Sequence, residues 1–276
     1  VAFIGYLHLL GWPTMALGWL LSEMQRGRAA LQRLEELLSV EPAIASPVGA
    51  AAAMAGRGEV EFRGVSFAYP GRGKSAEVLG GIDLKIPAGS TVAVVGRTGS
   101  GKTSRVQLVP RRFDATTGTV LLDGQDVRTL SLAALRRAVG MVPQDPFLFS
   151  RTLRENIGFA LDGDPAAAVD WAVTAAGLAR DVADMPMGLE TIVGERGITL
   201  SGGQKQRTTI ARVIASAPSV LILDDALSAV DAATEREILD RLRGFFRSRT
   251  TILVAHRMTT VQEADRIVVL DDGRIA

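Results

Sequence analysis

The 276-residue sequence contains no cysteine and only two histidines, His8 and His256. A disulfide framework, a thiolate metal site, a cysteine nucleophile and a multi-histidine metal centre are all excluded. Lysine is nearly absent as well. Of 31 basic residues only Lys74, Lys85, Lys102 and Lys205 are lysine, so any functional lysine stands out. Net charge is also missing: 31 Lys and Arg against 30 Asp and Glu leave +1. That excludes an electrostatic nucleic-acid binder, whose domain is ordinarily strongly basic. Aromatic residues amount to 5% and no internal repeat is visible. What the chain does have is 47% hydrophobic residues and 29 glycines. This composition can bury a core, and it suits an α/β domain with glycine-rich loops.

The first 21 residues, Val1 to Leu21, are nearly all apolar, interrupted by His8, Pro13, Thr14 and glycines. As a helix such a stretch covers roughly 30 Å, the thickness of a bilayer core, so a membrane span is expected here. Arg26 and Arg28 follow the run, which puts the downstream chain on the cytoplasmic side and argues against a cleaved signal peptide. The other reading of 1–21 is a buried helix of a soluble domain. From Ser22 to Leu38 an amphipathic pattern follows, with Leu31, Leu34, Leu37 and Leu38 apolar, and residues 39–58 read as a linker. Position 1 is Val and the chain stops within an expected strand and turn at Asp272–Ala276. The expectation is therefore a fragment, preceded by further membrane helices. His8 is read as a packing or interface residue.

From about Glu59 the pattern is that of a nucleotide-binding α/β domain. Val60, Phe62, Val65, Phe67 and Tyr69 alternate with polar residues, and Leu84 and Ile86 repeat the alternation, as half-buried antiparallel strands do. Unbroken apolar runs at Val92–Val95, Val220–Leu223 and Ile252–Ala255 suit parallel strands covered on both faces. Helical patterns lie between the runs, and the one after Asp231 carries acids first (Asp231, Glu235) and arginines last (Arg243, Arg247), which matches the macrodipole.

After the first run comes Gly96-Arg97-Thr98-Gly99-Ser100-Gly101-Lys102-Thr103, the spacing G-x-x-x-x-G-K-T between a strand and a helix. Its backbone N–H groups and helix N-terminus can cradle phosphate oxygens; Lys102 reaches the β- and γ-phosphates and Thr103 offers a hydroxyl to Mg²⁺. Four apolar residues ending in Asp224-Asp225 form the partner element. Asp224 is read as the Mg²⁺ ligand and Asp225 as the group facing the attacking water, although two acids after a strand are often only a turn. Leu200-Ser201-Gly202-Gly203-Gln204, before the amphipathic face Ile210, Val213, Ile214 and Ala217, forms a second anion site in a chain with one Walker-type lysine. The simplest resolution is that this second site serves another subunit's nucleotide.

These ordered motifs resemble the ATP-binding-cassette (ABC) superfamily, of which LSGGQ is the signature. The resemblance covers Glu59 to Ala276 and looks closest to exporters that join membrane helices and cassette in one chain. It implies a P-loop NTPase with a parallel-sheet core, an antiparallel β subdomain and a helical subdomain, preceded by the end of a transmembrane helix. It implies that Tyr69 stacks on adenine, that Gly96 to Ser104 hold ATP, and that Gln144 completes the Mg²⁺ shell. His256 matches the switch histidine of the γ-phosphate. Ser228 to Asp231 resembles the loop that crosses the dimer interface, with Asp231 as a helix N-cap the alternative. Pro146 to Phe149 could receive a membrane-domain coupling helix or be core, and Gly194 to Gly197 could touch that interface or be a solvated turn. The implied partners are a second half-transporter, identical or different, the membrane, and a transported small molecule, lipid or peptide. The implied location is the inner (plasma) membrane, multi-pass, with the cassette cytoplasmic.

Two departures stand against that pattern. Asp225 occupies the position of the usual glutamate, and one methylene fewer draws the carboxylate back by about 1.5 Å. A base displaced by about 1 Å can lose on the order of 100-fold in rate. The expectation is a weakly hydrolytic own site in one half of an asymmetric pair; a homodimer with a slowed base and a regulatory nucleotide-binding subunit are the alternatives. The second departure is Ser104-Arg105, where the family usually has Thr and an apolar residue.

Overall fold

The computed structural model describes residues 2–50, 56–70, 77–163 and 165–276. Val1, part of the expected linker (51–55) and Lys74 lie outside the described residues. The chain divides into two compact units, Val1–Ala45 and Ser46–Ala276.

The first unit is dominated by one helix, α1 (Ala2–Leu38), of 37 residues. Pro13 sits inside it, and Thr14 bonds back to the carbonyls of Leu10 and Gly11 at 3.0 and 2.9 Å. These bonds occupy carbonyls in the turn where proline cannot donate. Among the described residues no helix is both long and apolar enough to cross a membrane. The expected span over 1–21 therefore stays an expectation. Gly5, Gly11, Gly18, Pro13, Thr14 and His8 dilute the apolar run. His8 is exposed, as are Leu31, Leu34, Leu37 and Leu38.

The second unit contains two sheets. The smaller is antiparallel, order β2-β1-β4-β5, from β1 (Val60–Ala68), β2 (Glu77–Ile86), β4 (Thr117–Leu122) and β5 (Gln125–Asp126). The alternation expected for β1 holds: Val60, Phe62, Val65 and Phe67 are all buried. The larger has the order β10-β9-β3-β8-β7-β6, from β3 (Thr91–Gly96), β6 (Val139–Val142), β7 (Val220–Asp224), β8 (Thr250–Val254), β9 (Arg266–Asp271) and β10 (Arg274–Ile275). All its pairings are parallel except β9 with β10.

The helices of this unit are α2 (Lys102–Leu108), α3 (Leu132–Ala138), α4 (Leu153–Ile157), α5 (Ala166–Ala175), α6 (Ala179–Asp184), α7 (Gly202–Ala215), α8 (Ala232–Arg247) and α9 (Met258–Val261). Strand β7 explains why its run is unbroken. Val220 and Ile222 enter a core shared with the antiparallel sheet, while Leu221 and Leu223 enter one built with α5, α7 and α8. Both faces are covered, so both faces must be apolar. The apolar face expected to reach Ala217 stops earlier, because α7 ends at Ala215 and Ala217 takes the left-handed φ of 46° that breaks the helix.

One topological fact positions the site. Strand β8 lies between β3 and β7, with Val254 level with Val94 on one side and Asp224 on the other. The loops leaving these three adjacent parallel strands therefore converge at their C-terminal ends, where such sheets bind ligands.

Candidate functional site

The loop after β3 is built around its lysine. Lys102, 6% exposed, donates from Nζ to the carbonyls of Gly96 and Arg97, both at 2.8 Å. The loop is thus wrapped around the ammonium group, and two glycines are required by packing. A Cβ at Gly96 would collide with the Leu270 carbonyl oxygen, and one at Gly101 would lie 2.7 Å from Leu79 Cδ2, at a left-handed φ of 93°. Ser100 Oγ is buried in the loop without a hydrogen-bond partner, while Arg97, Thr98 and Gly99 are exposed.

Across from the loop, Thr103 Oγ1 donates to Asp224 Oδ1 at 3.0 Å. A cavity of about 470 Å³ is lined by Thr98, Gly99, Gly101, Lys102, Thr103 and Ser104 from the loop and α2. Gln144 after β6, Asp224 and Asp225 at the end of β7, and His256 after β8 line the same cavity. Residues from four separate stretches of sequence, expected to share one site, are therefore brought together.

The charges explain one another. Burial lowers the Lys102 ammonium pKa, and the carboxylates of Asp224 and Asp225 oppose that shift. Burial raises Asp224 above the ordinary carboxylate range, with the Asp225 charge adding to it, against the Thr103 hydrogen bond and Lys102. Burial also raises Asp225; His256, Arg257 and Lys102 pull the other way and Glu235 pushes with it. A buried carboxylate held above its usual pKa gains from an added cation. The Thr103 hydroxyl, the Asp224 carboxylate and the Gln144 amide supply oxygen donors suited to Mg²⁺, which binds through one or two carboxylates together with substrate phosphates. Among the described residues there is no cluster of three or more His, Asp or Glu that could hold a metal ion.

Tyr69 is placed differently from the cavity-lining residues. Its hydroxyl lies 2.9 Å from Ser104 Oγ, and its ring meets Phe67 and Phe113 edge-on at 4.8 and 5.2 Å. The signature stretch also lies outside this cavity. Leu200 is buried, and Ser201 and Gln204 form a capping box at the start of α7: Ser201 Oγ accepts from Gln204 N, and Gln204 Oε1 accepts from Ser201 N at 2.9 Å. Gln204 Nε2 donates to Asp181, leaving Ser201 and Gly202 exposed at the helix N-terminus. Asp231 caps α8, accepting from Ala233 N and Thr234 N. Gly194 to Gly197 form a short turn whose Glu195 and Arg196 are exposed. Phe147 is half exposed, Phe149 stacks on Phe159 at 4.5 Å, and Leu148 is core.

Gln206 and Arg257 belong to none of the sequence motifs, and Glu235 stood out there only as a first-turn acid of its helix. Gln206 and Glu235 are both buried, and Glu235 sits on the inward stripe of α8 with Ile238, Leu239 and Leu242. A carboxylate on an apolar stripe was the available signal, because a buried charge has to be paired. Its position in the first turn suggested a macrodipole role instead.

The profile of the family described as "ABC transporter" matches residues 79–228. The chain belongs to the ABC transporter family. The ABC cassette is 40% identical over 271 residues to an ATM1-type heavy metal exporter of Novosphingobium aromaticivorans, a match spanning 98% of this chain and 44% of that protein. It is 41% identical over 276 residues to an ATP-dependent lipid A-core flippase of Methylococcus capsulatus, spanning 100% of this chain and 45% of that one. The solved structure of a bacterial Atm1-family ABC exporter with ATP bound superposes with a TM-score of 0.84 at 40% identity, over 91% of this chain and 44% of that chain. The cassette chain thus spans less than half the length of these relatives. Its fold is the ABC form of the P-loop NTPase, with both expected sheets present.

Proposed function

We propose that this chain is the ATP-binding and ATP-hydrolysing cassette of an ABC exporter subunit, working against a second cassette at the membrane surface. The observation that carries the reading is the single cavity shared by Lys102, Thr103, Gln144, Asp224, Asp225 and His256. Glycine loop amides and Lys102 would hold the phosphates of ATP, and Thr103, Asp224 and Gln144 would hold Mg²⁺. Mg²⁺ held there would supply positive charge against the phosphate oxygens. Asp225 orients the attacking water and accepts its proton, and His256 fixes the γ-phosphate end. Tyr69, beside Ser104, takes the adenine once its ring is offered to the purine.

Ser201 to Gln204 do not line the cavity that holds Lys102, which supports their serving the nucleotide of the partner cassette. Two cassettes then close head to tail around two ATP molecules and open after hydrolysis, a shift between two states. The helix Ala2–Leu38 is read as the segment joining the cassette to its membrane part. The transported molecule is met there, outside the cassette.

Asp225 makes the own site slow, so the chain fits one half of an asymmetric pair. The test measures ATPase activity of the full-length protein alone and with candidate partners, beside an Asp225→Glu variant. Low activity alone that rises with a partner or with the glutamate supports this reading. Full activity alone, unimproved by the glutamate, would mean a symmetric homodimer.

A further inference from the structure

The loop Ser228–Asp231 is held from two sides, by the buried Gln206 and the half-buried Arg257, which come from different parts of the fold. From α7, Gln206 donates through Nε2 to Ser228 Oγ at 3.0 Å and accepts at Oε1 from Ala229 N at 2.9 Å. From the segment after β8, Arg257 donates through Nη1 to the Val230 carbonyl at 2.8 Å and through Nη2 to the Ser228 carbonyl at 3.1 Å.

Arg257 is held in turn. Its Nη1 also donates to Glu235 Oε2, and the other oxygen of that carboxylate accepts from Thr259 Oγ1 at 2.7 Å and Thr260 Oγ1 at 2.6 Å. Glu235 is 0% exposed. Burial alone would raise its pKa, and the bonds from Thr260, Arg257 and Thr259 hold it below the usual carboxylate range instead. Between these groups and Asp225 there is a space of only about 20 Å³, also lined by His256. That volume has room for a single water.

His256 is the chain neighbour of Arg257, and Gln206 lies two residues beyond the signature Gln204. A continuous set of hydrogen bonds therefore runs from the signature helix through the intervening loop to Arg257, beside His256, each link made by a side chain buried or half-buried. We propose that Glu235 is a positioning residue, whose carboxylate locks Arg257 so that the His256 segment, the Ser228–Asp231 loop and the signature helix move as one body. The consequence for hydrolysis rests on the ATP-site reading above; the mechanical link does not.

The test compares amide hydrogen exchange of the nucleotide-free chain with that of Glu235→Gln, a substitution that keeps volume and removes the charge. Residues 228–231 and 256–261 should lose protection together, by about tenfold, while 96–103 keep theirs. In the ATP-hydrolysing assembly, kcat should fall about tenfold at unchanged KM, since the phosphate cradle is intact. Loosening of only one of the two segments, or of neither, would overturn the proposal, as would a fall in kcat matched by a rise in KM. If Glu235→Gln exchanges faster everywhere, Arg257→Lys decides. It keeps the charge beside Glu235 but lacks the fork that reaches both carbonyls, and it should loosen the same two segments. A wild-type chain that binds no ATP would sink the site reading and leave the exchange result standing.

Discussion

The backbone N–H of Asp225 donates to the carbonyl of Val254 at 3.0 Å, tying the residue after β7 to the last residue of β8. His256 follows two residues later, so this bond sets the acid and the histidine on one rim of the cavity. Asp225 sits there at a left-handed φ of 49°, a region that Asp tolerates better than most residues.

Asp225→Glu should therefore have opposite effects on rate and stability. On the proposal of a slow own site, the longer side chain should restore reach and raise turnover by about 10- to 100-fold. The same change places a residue less suited to the left-handed region, at about 1 kcal/mol. Single-turnover hydrolysis and thermal melting of the same preparation measure both. A variant no faster than wild type would remove the geometric ground for the proposed slow site.

Lys102→Ala removes the ammonium that braces the Gly96 and Arg97 carbonyls as well as the phosphate contact. Charge-assisted bonds of about 1.5–3 kcal/mol each translate into at least a hundredfold weaker ATP binding. Titration with a fluorescent ATP analogue reads this directly, and retained tight binding would contradict the assignment of the loop.

The pH dependence has a definite sign. Asp224 and Asp225 bind protons more tightly in the folded chain than in the unfolded one, because burial raises both. The stability they contribute is complete below the ordinary carboxylate pKa and is lost as pH rises through their raised folded values. At pH 7, without nucleotide or metal, Asp224→Asn should melt higher than wild type, and the gain should shrink toward pH 4. Mg-ATP should stabilise the wild type and fail to stabilise the variant further. Melting curves across this range check the sign, and a gain that grew on acidification would refute it.

Arg105 is the departure that carries a stability prediction. It is 1% exposed on α2, its Nη1 and Nη2 have no hydrogen-bond partner, and its guanidinium lies 5.0 Å from the Phe62 ring centroid. Burial lowers its pKa to about 10. The ring contact offsets only part of that burial, so Arg105→Leu should stabilise the chain by about 1–3 kcal/mol. For a domain of this size that is a rise of several degrees in Tm. A lower Tm would mean that the guanidinium has a partner in solution.

Much of this cassette was legible residue by residue. The G-x-x-x-x-G-K-T spacing, the Asp-terminated apolar run and the LSGGQ stretch each follow from local chemistry, and each lies where its neighbouring strand and helix require. Asp231 as an N-cap was legible for the same reason, since a cap bonds within three residues. The run of 1–21 forms part of one long helix, Ala2–Leu38, and glycines, Pro13 and polar residues lower its mean hydropathy.

Strand periodicity and motif spacing by themselves determined the fold class, the phosphate loop and the acids opposite it, because those features depend on residues close together in the chain. Only the tertiary structure decided that β8 lies between β3 and β7, that Gln144 and His256 share a cavity with Lys102, and that Glu235 turns inward to hold Arg257. Those outcomes depend on which strands become neighbours and on how a buried charge finds its counterion, and both are settled by packing between distant segments.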